Sequence, residues 1–490
     1  MKRYAFLFCV VLTLVLVTGC SRDNTTTPTQ SVTTEPSQSV TANPEAVAAE
    51  LVARAGWEID AGAVADSKNS GPSSASAAGY IVSVDREVVV DDIVHYSFVV
   101  RVGDGMYDNI GIHRVVRESR PHQPMKSTRN VFLLHGDLIG WEGIFLFGAN
   151  SATTPDDYSA AVYLAQNGVD VWGMDQNWVL VPADAMDLSF MDNWGLQNQA
   201  DNLGIGLAVA RHARLATGNG FGKMIAGGYS SGAWTCYAYL DGEAQLPPGH
   251  RHVKGYIALD GNFKTDNEAD RFGMCELAAY YQWLNDTGVY GDDFSFFPLM
   301  SDLARTDPGG PSPVFEGFTN IQAAWGMGSY PAPPPDWYHY LAGEFDDDGM
   351  PTGLTATRTD AWLDFMLNNA AFEPTQFEAD YSKTACDEID VPWDDHLGDI
   401  NVPVLLIAPS GGLGESNYYT LTLLGSSDVT IVAPRFDPPV DLELEFGHID
   451  IWTADVVPDY AKDQVWTPVL NWILDHSPQG PPVDVVRGKN

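Results

Sequence analysis

The sequence predicts an α/β protein with a mainly parallel central sheet and helices on both faces. Short apolar runs typical of strands alternate with stretches of helical periodicity over most of the chain. The motif Gly228-Tyr229-Ser230-Ser231-Gly232 stands between one such strand and one such helix. The chain is 45% hydrophobic and 11% aromatic, so the roughly 440 residues after the N-terminal segment are enough for one large domain.

Residues 1–20 have the composition of a secretory signal peptide. Lys2 and Arg3 form its positive end, and the apolar run from Tyr4 to Leu16 is too short to span a membrane as a helix. The following Val17-Thr18-Gly19-Cys20 resembles a bacterial lipobox, which implies cleavage before Cys20 and acylation of that cysteine. Ser21, where an aspartate would signal inner-membrane retention, favours an outer membrane or cell surface. We therefore expect an exported protein that is lipid-anchored to the membrane through Cys20.

Residues 21–50 are predicted to be a disordered linker. The segment up to about Asn43 consists largely of Ser, Thr, Pro and Gln, and it has too little apolar surface to fold. The remaining chain is divided into a first part of the core at 51–261, an insertion at 262–400 and a second part of the core at 401–490.

The strand and helix pattern follows in order along the chain. A β-rich lead-in from Ala78 to about Val116 precedes it, with strands at Tyr80–Val84 and Ser97–Val102. Further strands are predicted at 130–134, 169–173, 223–226, 253–259, 402–408 and 429–433. Helices are predicted at Asn198–Ala216 and Asp463–His476, the latter from one apolar stripe at helical spacing.

The acidic composition limits the partners that this chain can bind. With 65 acidic and 26 basic residues, the formal charge is -39, which argues against nucleic acid and against electrostatic docking on anionic lipid. Such a surface is consistent with a saline habitat, with calcium binding, or simply with solubility.

Three cysteines lie in the folded part of the chain and allow one disulfide. Cys236 falls on the helix after the Gly-x-Ser-x-Gly motif and is interpreted as a small buried side chain. Cys275 and Cys386 are therefore the predicted pair. No Cys-x-x-Cys or His-Glu-x-x-His occurs, so the sequence predicts no metal site.

Ser230 is the candidate nucleophile. In a strand-turn-helix elbow the serine occupies a strained turn that exposes its hydroxyl, and the flanking glycines leave room for a close chain crossing. The order of Val131–Gly136, Leu164–Gly173, the Ser230 elbow and a late Phe446-Gly447-His448 resembles the α/β-hydrolase superfamily, in particular its serine esterases and lipases. The resemblance covers most of the chain from about Ala78 to His476.

The resemblance implies the other catalytic groups. His448, between the last strand and the closing helix, is expected to be the base that activates Ser230. An oxyanion hole needs two backbone N–H groups, and these are expected from Ser231 and from either Asp137 or Leu138 in the loop after His135.

The acid that orients His448 is left open between two carboxylates. Glu415 is the first candidate, because it is the only carboxylate near the end of the strand 402–408, although the family pattern has an aspartate a few residues earlier. Asp260 directly follows the preceding strand and is the alternative, with Asp450 a weaker third choice.

The insertion at 262–400 is rich in aromatic residues and prolines, and its place in the fold implies a cap over the active site. Its segment Asp346-Asp347-Asp348-Gly349 lacks the alternating spacing of a calcium-binding loop and is interpreted as an exposed acidic turn.

The function expected from these residues is cofactor-free hydrolysis of carboxylic esters through an acyl-enzyme. The substrate would be a small-molecule or lipid ester of apolar character, which enters beneath the cap. A peptidase or amidase on the same fold is the alternative within enzymes, and a non-catalytic surface binding protein is the alternative outside them.

Overall fold

A computed structural model describes residues 42–60, 79–455 and 460–477 of the chain. The predicted signal peptide with Cys20 and the predicted linker up to residue 41 lie outside these described residues. Within the described ranges, no helix combines the length and the apolar character needed to cross a membrane.

Most of the strands form one ten-stranded sheet. In chain order the strands are β1 Ile81–Val90, β2 Ile93–Arg101, β3 Asn109–Arg120, β4 Gln123–Pro124, β5 Asn130–Leu134, β6 Asp170–Asp175, β7 Met224–Tyr229, β8 Val253–Leu259, β9 Gly291–Asp293, β10 Gly343–Phe345, β11 Pro351–Leu354, β12 Phe372–Pro374, β13 Val404–Ile407 and β14 Val429–Val432. The order in the large sheet is β1-β2-β3-β6-β5-β7-β8-β13-β14, with β4 on β3. In this sheet order, all neighbours from β6 to β14 are parallel, whereas the pairs β1-β2, β2-β3 and β3-β6 are antiparallel. The sheet is therefore mainly parallel, as predicted.

The helices cover both faces of this sheet, which confirms the predicted fold class. They are α1 Pro44–Arg54, α2 Trp141–Phe145, α3 Ala160–Gln166, α4 Leu196–Ala216, α5 Ser231–Ala244, α6 Glu268–Asp286, α7 Phe296–Thr306, α8 Asn320–Ser329, α9 Thr359–Leu367, α10 Thr375–Cys386, α11 Tyr418–Leu423, α12 Asp450–Thr453 and α13 Thr467–Asp475. Short 3-10 turns lie at 148–150, 177–180, 189–191, 397–399, 414–417 and 442–444, and a π turn at 462–466 precedes α13.

Alternate residues of β5 point into two hydrophobic cores. Phe132 and Leu134 pack with the apolar residues of α1, α4 and α5, while Val131 and Leu133 pack with those of α3, α12 and α13. Since successive side chains of a strand point to opposite faces, a five-residue strand that is buried throughout must lie between two layers.

Helix α1 corrects part of the predicted linker. Residues 44–50 were assigned to the linker, but they are helical. The Asn43 side chain accepts hydrogen bonds from the amides of Glu45 and Ala46 and so caps the helix. Val47 and Leu51 are buried in the core beside α4. Burial of this apolar stripe stabilises a helix that the polar segment before it could not form.

The segment between β8 and β13 contains α6 to α10 and two small antiparallel sheets, β10-β11 and β12-β9. Its first and last helices, α6 and α10, are joined by a disulfide between Cys275 and Cys386, with a Cα–Cα distance of 4.7 Å. The predicted pairing is confirmed, and Cys236 is a buried free thiol as expected.

Candidate active site

Ser230 occupies a strained position between β7 and α5. Its φ of 54° and ψ of −126° lie in a region that residues other than glycine rarely adopt. The Ser230 amide donates to the Leu259 carbonyl of β8 at 3.0 Å, and the Ser230 carbonyl accepts from Ala233 at 2.8 Å. These two hydrogen bonds hold the turn, so the serine is fixed at the carboxyl end of the sheet.

Glycines allow the close chain crossing that this turn needs. A Cβ on Gly228 would lie 2.4 Å from the Gly232 carbonyl oxygen, and a Cβ on Gly232 would lie 2.3 Å from the His135 carbonyl oxygen. A Cβ on Gly136 would lie 2.6 Å from the Ser230 Cβ. Any side chain at these three positions would therefore displace the backbone around the serine.

His448 is oriented by Asp260. Its Nδ1 lies 2.6 Å from Asp260 Oδ2, and both side chains are buried. A carboxylate only accepts hydrogen bonds, so Nδ1 carries the proton and Nε2 is left as the basic nitrogen. The Tyr229 ring stacks on the imidazole with centroids 4.7 Å apart, and its hydroxyl donates to the His448 carbonyl at 3.2 Å.

Glu415, the first candidate for the acid, is not in the site. Its side chain is exposed in the 3-10 turn at 414–417, while the same loop holds the carboxylate of Asp260. Asp260 Oδ1 accepts from the Leu413 amide at 3.1 Å and from Asn417 Nδ2 at 3.0 Å. The loop after β13 thus orients the acid through an amide and a side chain, and the acid itself follows β8.

Asp450 is buried away from the imidazole. Its carboxylate accepts from the amides of Ala342 and Gly447 at 2.8 and 2.9 Å and from the Thr357 hydroxyl at 2.7 Å. These bonds tie the loop that carries His448 to the insertion. Asp450 is therefore a structural residue next to the site, and the third choice for the acid is wrong.

The loop after β5 lies against Ser230. Gly136 contacts the serine, and Leu138 has a positive φ of 65°. In the described part of the chain, no hydrogen bond uses the amide N–H of Asp137, Leu138 or Ser231. These are the three predicted oxyanion donors, and the geometry leaves their N–H groups available for a ligand.

His135 positions this loop through both ring nitrogens. Its Nε2 accepts from the Gln176 amide at 3.0 Å, so its Nδ1 carries the proton and donates to the Gly136 carbonyl at 2.6 Å. The ring is fully buried, and burial lowers its pKa. It has no nitrogen left to act as a base.

The sequence did not predict a cluster of carboxylates at the loop after β5, which we call the oxyanion loop because it contains Asp137 and Leu138. Oxygens of Asp137, Glu373 and Glu378 lie within 4.8 Å of one another, and Asp292 of β9 is directly opposite Glu373 of β12. Burial raises the pKa of Glu373 and Glu378 well above the usual value, with Asp137 adding to the effect, and burial raises the pKa of Asp292 to about 7. No local sequence signal could reveal this cluster, because its members come from three separate segments.

The insertion also contributes aromatic residues to the site. The rings of Tyr338 and Tyr340 lie 5.3 and 6.3 Å from the His448 ring, measured between centroids. Burial raises the pKa of Tyr338 well above its usual value, and nearby carboxylates add to this shift. Both phenols therefore remain neutral hydrogen-bonding groups at physiological pH.

Within the described ranges, three groups of side chains have the spacing to hold a cation: His95, His113 and Glu142; Asp137, Glu373 and Glu378; and Cys275, Cys386 and Glu388. The third is explained by the disulfide. The predicted acidic turn at 346–348 is exposed, and Asp346 Oδ1 accepts from the amides of Asp348 and Met350. The sequence predicted no metal site, whereas these spacings bring two histidines and a glutamate together at the first of the three groups.

The chain is similar in structure to several solved hydrolases. It matches a candidate lipase from Sulfolobus solfataricus with a TM-score of 0.52 and 17% identity over 80% of this chain and 99% of that one. It also matches a soluble variant of monoglyceride lipase from Saccharomyces cerevisiae (TM-score 0.42, 10% identity, 84% and 100% covered). A third match is an esterase from Thermogutta terrifontis (TM-score 0.38, 11% identity, 76% and 97% covered).

The first of these likenesses, together with the strand order and the serine elbow, shows that the chain has the α/β-hydrolase fold. No protein-family profile matches the sequence, and no curated protein matches it either.

Proposed function

We propose that this protein is a serine hydrolase that cleaves carboxylic esters through an acyl-enzyme. One observation carries the proposal: the imidazole of His448 is held at Nδ1 by the buried Asp260, which follows β8, the neighbour of the strand that ends at the strained Ser230. A nucleophile, a base and an acid that orients the base are the parts that acyl transfer needs.

The proposed reaction uses these residues in turn. Ser230 Oγ attacks the ester carbonyl and gives its proton to His448 Nε2, while Asp260 stabilises the resulting imidazolium. The N–H groups of Ser231 and of Asp137 or Leu138 stabilise the oxyanion. His448 then protonates the departing alkoxide as the ester C–O bond breaks. In the second half it removes a proton from the attacking water and gives that proton to Ser230 Oγ as the acid is released.

The surroundings support a neutral ester as the substrate. The carboxylates of Asp137, Glu373 and Glu378 stand beside the oxyanion loop, so a substrate with an anionic acyl group would meet like charge wherever they ionise. The rings of Tyr338 and Tyr340 pack at an angle near the histidine and add apolar surface beside it. This arrangement agrees with an apolar small-molecule or lipid ester held beneath a cap.

Export and lipid anchoring at Cys20 remain part of the proposal and rest on the sequence alone. In a bacterial host, the full-length chain should incorporate labelled palmitate and sediment with membranes. Cys20→Ala should abolish both, and labelling of this variant equal to that of the wild type would contradict the anchor.

The test of the catalytic proposal is Ser230→Ala in purified protein. Hydrolysis of short p-nitrophenyl esters should fall by about 10⁴-fold or more, because the variant lacks the nucleophile that forms the acyl-enzyme. A fluorophosphonate probe should label the wild type and not the variant. Ser427→Ala, which alters an exposed serine in a loop, is the matched control and should leave both readouts unchanged.

The alternatives give different outcomes in the same experiment. Peptide cleavage at wild-type Ser230 without ester turnover would replace the ester proposal with a peptidase or amidase. Absence of both turnover and labelling in a folded wild type would favour a non-catalytic binding protein.

A further inference from the structure

Two buried histidines and a glutamate converge beside the sheet, outside the proposed catalytic site. His95 lies on β2 and His113 on β3, and Glu142 lies on α2. The Nε2 of His95 is 3.0 Å from the Nδ1 of His113. The Oε1 of Glu142 lies 3.9 Å from the first of these nitrogens and 3.7 Å from the second.

The three atoms form a triangle whose dimensions match those of three ligands around one metal ion. A point equidistant from its three corners lies about 2.1 Å from each of them, from the separations of 3.0, 3.7 and 3.9 Å. Zinc binds histidine nitrogen at about 2.0–2.1 Å and carboxylate oxygen at about 2.0–2.2 Å. The three atoms are therefore already spaced as ligands of one ion.

A second carboxylate supports one of the histidines in the way that metal ligands are usually supported. The Nε2 of His113 donates to Asp175 Oδ2 at 2.9 Å, which fixes the ring orientation and leaves Nδ1 facing His95 and Glu142. Trp141 stacks on the His113 ring with centroids 4.7 Å apart. The Trp141 amide also donates to Asp175 Oδ1 at 2.7 Å, so the supporting carboxylate is itself held.

Hydrogen bonds link His95 to His113 and His113 to Asp175, so both imidazoles have partners, but Glu142 is not part of this chain. In the described part of the chain the Glu142 carboxylate makes no hydrogen bond, although it lies within 4 Å of both histidines. The carboxylate thus faces two imidazole nitrogens without a hydrogen bond to either, an arrangement that a cation shared by all three side chains would satisfy.

Solvent can reach the site from one side. The histidines are buried, but the Glu142 side chain is 41% exposed. Glu142 and Asp175 both line a cleft of about 310 Å³ at the protein surface. This cleft offers an entry path for an ion and room for a water molecule as a fourth ligand.

We propose that His95, His113 and Glu142 bind a divalent transition-metal ion, of which zinc best suits two imidazoles and one carboxylate. The ion would join β2 and β3 to α2, the helix that directly follows the oxyanion loop. The proposal is independent of the hydrolytic function, because no catalytic residue is a ligand.

The experiment measures bound metal in full-length protein that carries no histidine tag. The protein is stripped with EDTA, given a small excess of zinc sulfate, dialysed and analysed by mass spectrometry of the metal. About one zinc ion per chain should remain, and the melting temperature should rise when zinc is restored. When cobalt(II) is bound in place of zinc, the visible absorption spectrum should show the bands of a metal site of low symmetry.

Two variants and a control make the test specific. His113→Ala should retain no zinc. Glu142→Gln keeps the size of a half-exposed side chain, so it should fold as the wild type does and bind zinc at least about 10-fold more weakly. His250→Ala removes an exposed histidine and should bind as the wild type does. The proposal is overturned if the wild type retains no zinc, or if Glu142→Gln binds it as tightly as the wild type.

Discussion

Two residues of the candidate triad sit in backbone conformations that cost energy. Ser230 and Asp260 have φ values of 54° and 48°, and neither is a glycine. Such positions cost about 1–3 kcal/mol each and persist where the surroundings over-determine them. At both sites the chain turns at the end of a parallel strand, and the turn at Asp260 presents the carboxylate to His448 Nδ1.

The structure predicts that Asp260 and Glu415 differ sharply in their effect on activity. Asp260→Asn should lower kcat for ester hydrolysis by about 10³–10⁴-fold, because an amide can hold the imidazole in the wrong tautomer. Glu415→Gln alters an exposed side chain and should change kcat by less than about twofold. Steady-state kinetics of the two purified variants decide the matter, and equal losses would contradict the assignment of Asp260.

Gly412 should be required for the position of Asp260. A Cβ at this glycine would lie 2.1 Å from Asp260 Oδ2, so Gly412→Ala must move the carboxylate or the loop. We expect kcat to fall at least about 10-fold, since a displaced group loses catalytic alignment.

Gly273→Ala serves as the control for this substitution, because a Cβ at Gly273 meets nothing within 4 Å. Its kcat should match that of the wild type, and its stability should rise slightly because alanine favours the interior of α6. An unchanged kcat in Gly412→Ala would show that the loop tolerates the extra methyl group.

Among the elements, the short ladder of β12 with β9 brings buried acids together. Asp292 and Glu373 are directly opposed in it, an arrangement that is unfavourable when both are charged. Burial raises the pKa of Asp292 to about 7. The ladder is therefore compatible with at least one protonated carboxyl at neutral pH.

This pKa predicts a pH dependence of stability. Between about pH 4 and pH 7 the unfolded chain has lost the Asp292 proton while the folded protein keeps it, so the stability falls as the pH rises through this range. Asp292→Asn resembles the protonated acid and should show a smaller fall in melting temperature between pH 5 and pH 8.

Asp302→Asn, on the exposed surface of α7, is the matched control and should follow the wild-type curve. Scanning calorimetry at several pH values measures the three proteins. Parallel curves for Asp292→Asn and the wild type would mean that Asp292 titrates at its ordinary value.

The whole molecule carries a formal charge of -39, and mutual repulsion at this charge opposes the compact state. Raising NaCl from about 0.02 M to about 1 M shortens the screening length from more than 20 Å to about 3 Å. The melting temperature should therefore rise by several degrees as salt is added. An uncharged osmolyte at matched osmolality is the control, because it does not screen charge. A melting temperature that is flat or falls with salt would contradict a destabilising role for the charge.

Several strands and helices of the core could be predicted from local sequence patterns. β5 and β8 have the predicted bounds, 130–134 and 253–259, because a largely buried strand gives a mostly apolar run of residues in the sequence. The final helix was likewise visible, since its apolar stripe repeats at helical spacing. By contrast, the sequence predicted β3 only as part of a β-rich lead-in. Its bounds could not be predicted, because they depend on pairing with β2 and β6 in the sheet.

The sequence by itself predicted the fold class and the serine elbow, because both depend on patterns of residues close together in the chain, while the family resemblance singled out His448. Only the tertiary structure decided that Asp260, 188 residues before His448, meets the imidazole. It also brought together the carboxylates at 137, 373 and 378 and the side chains of His95, His113 and Glu142. The physical reason is that such contacts depend on strand order and on the paths of loops, to which no local periodicity corresponds.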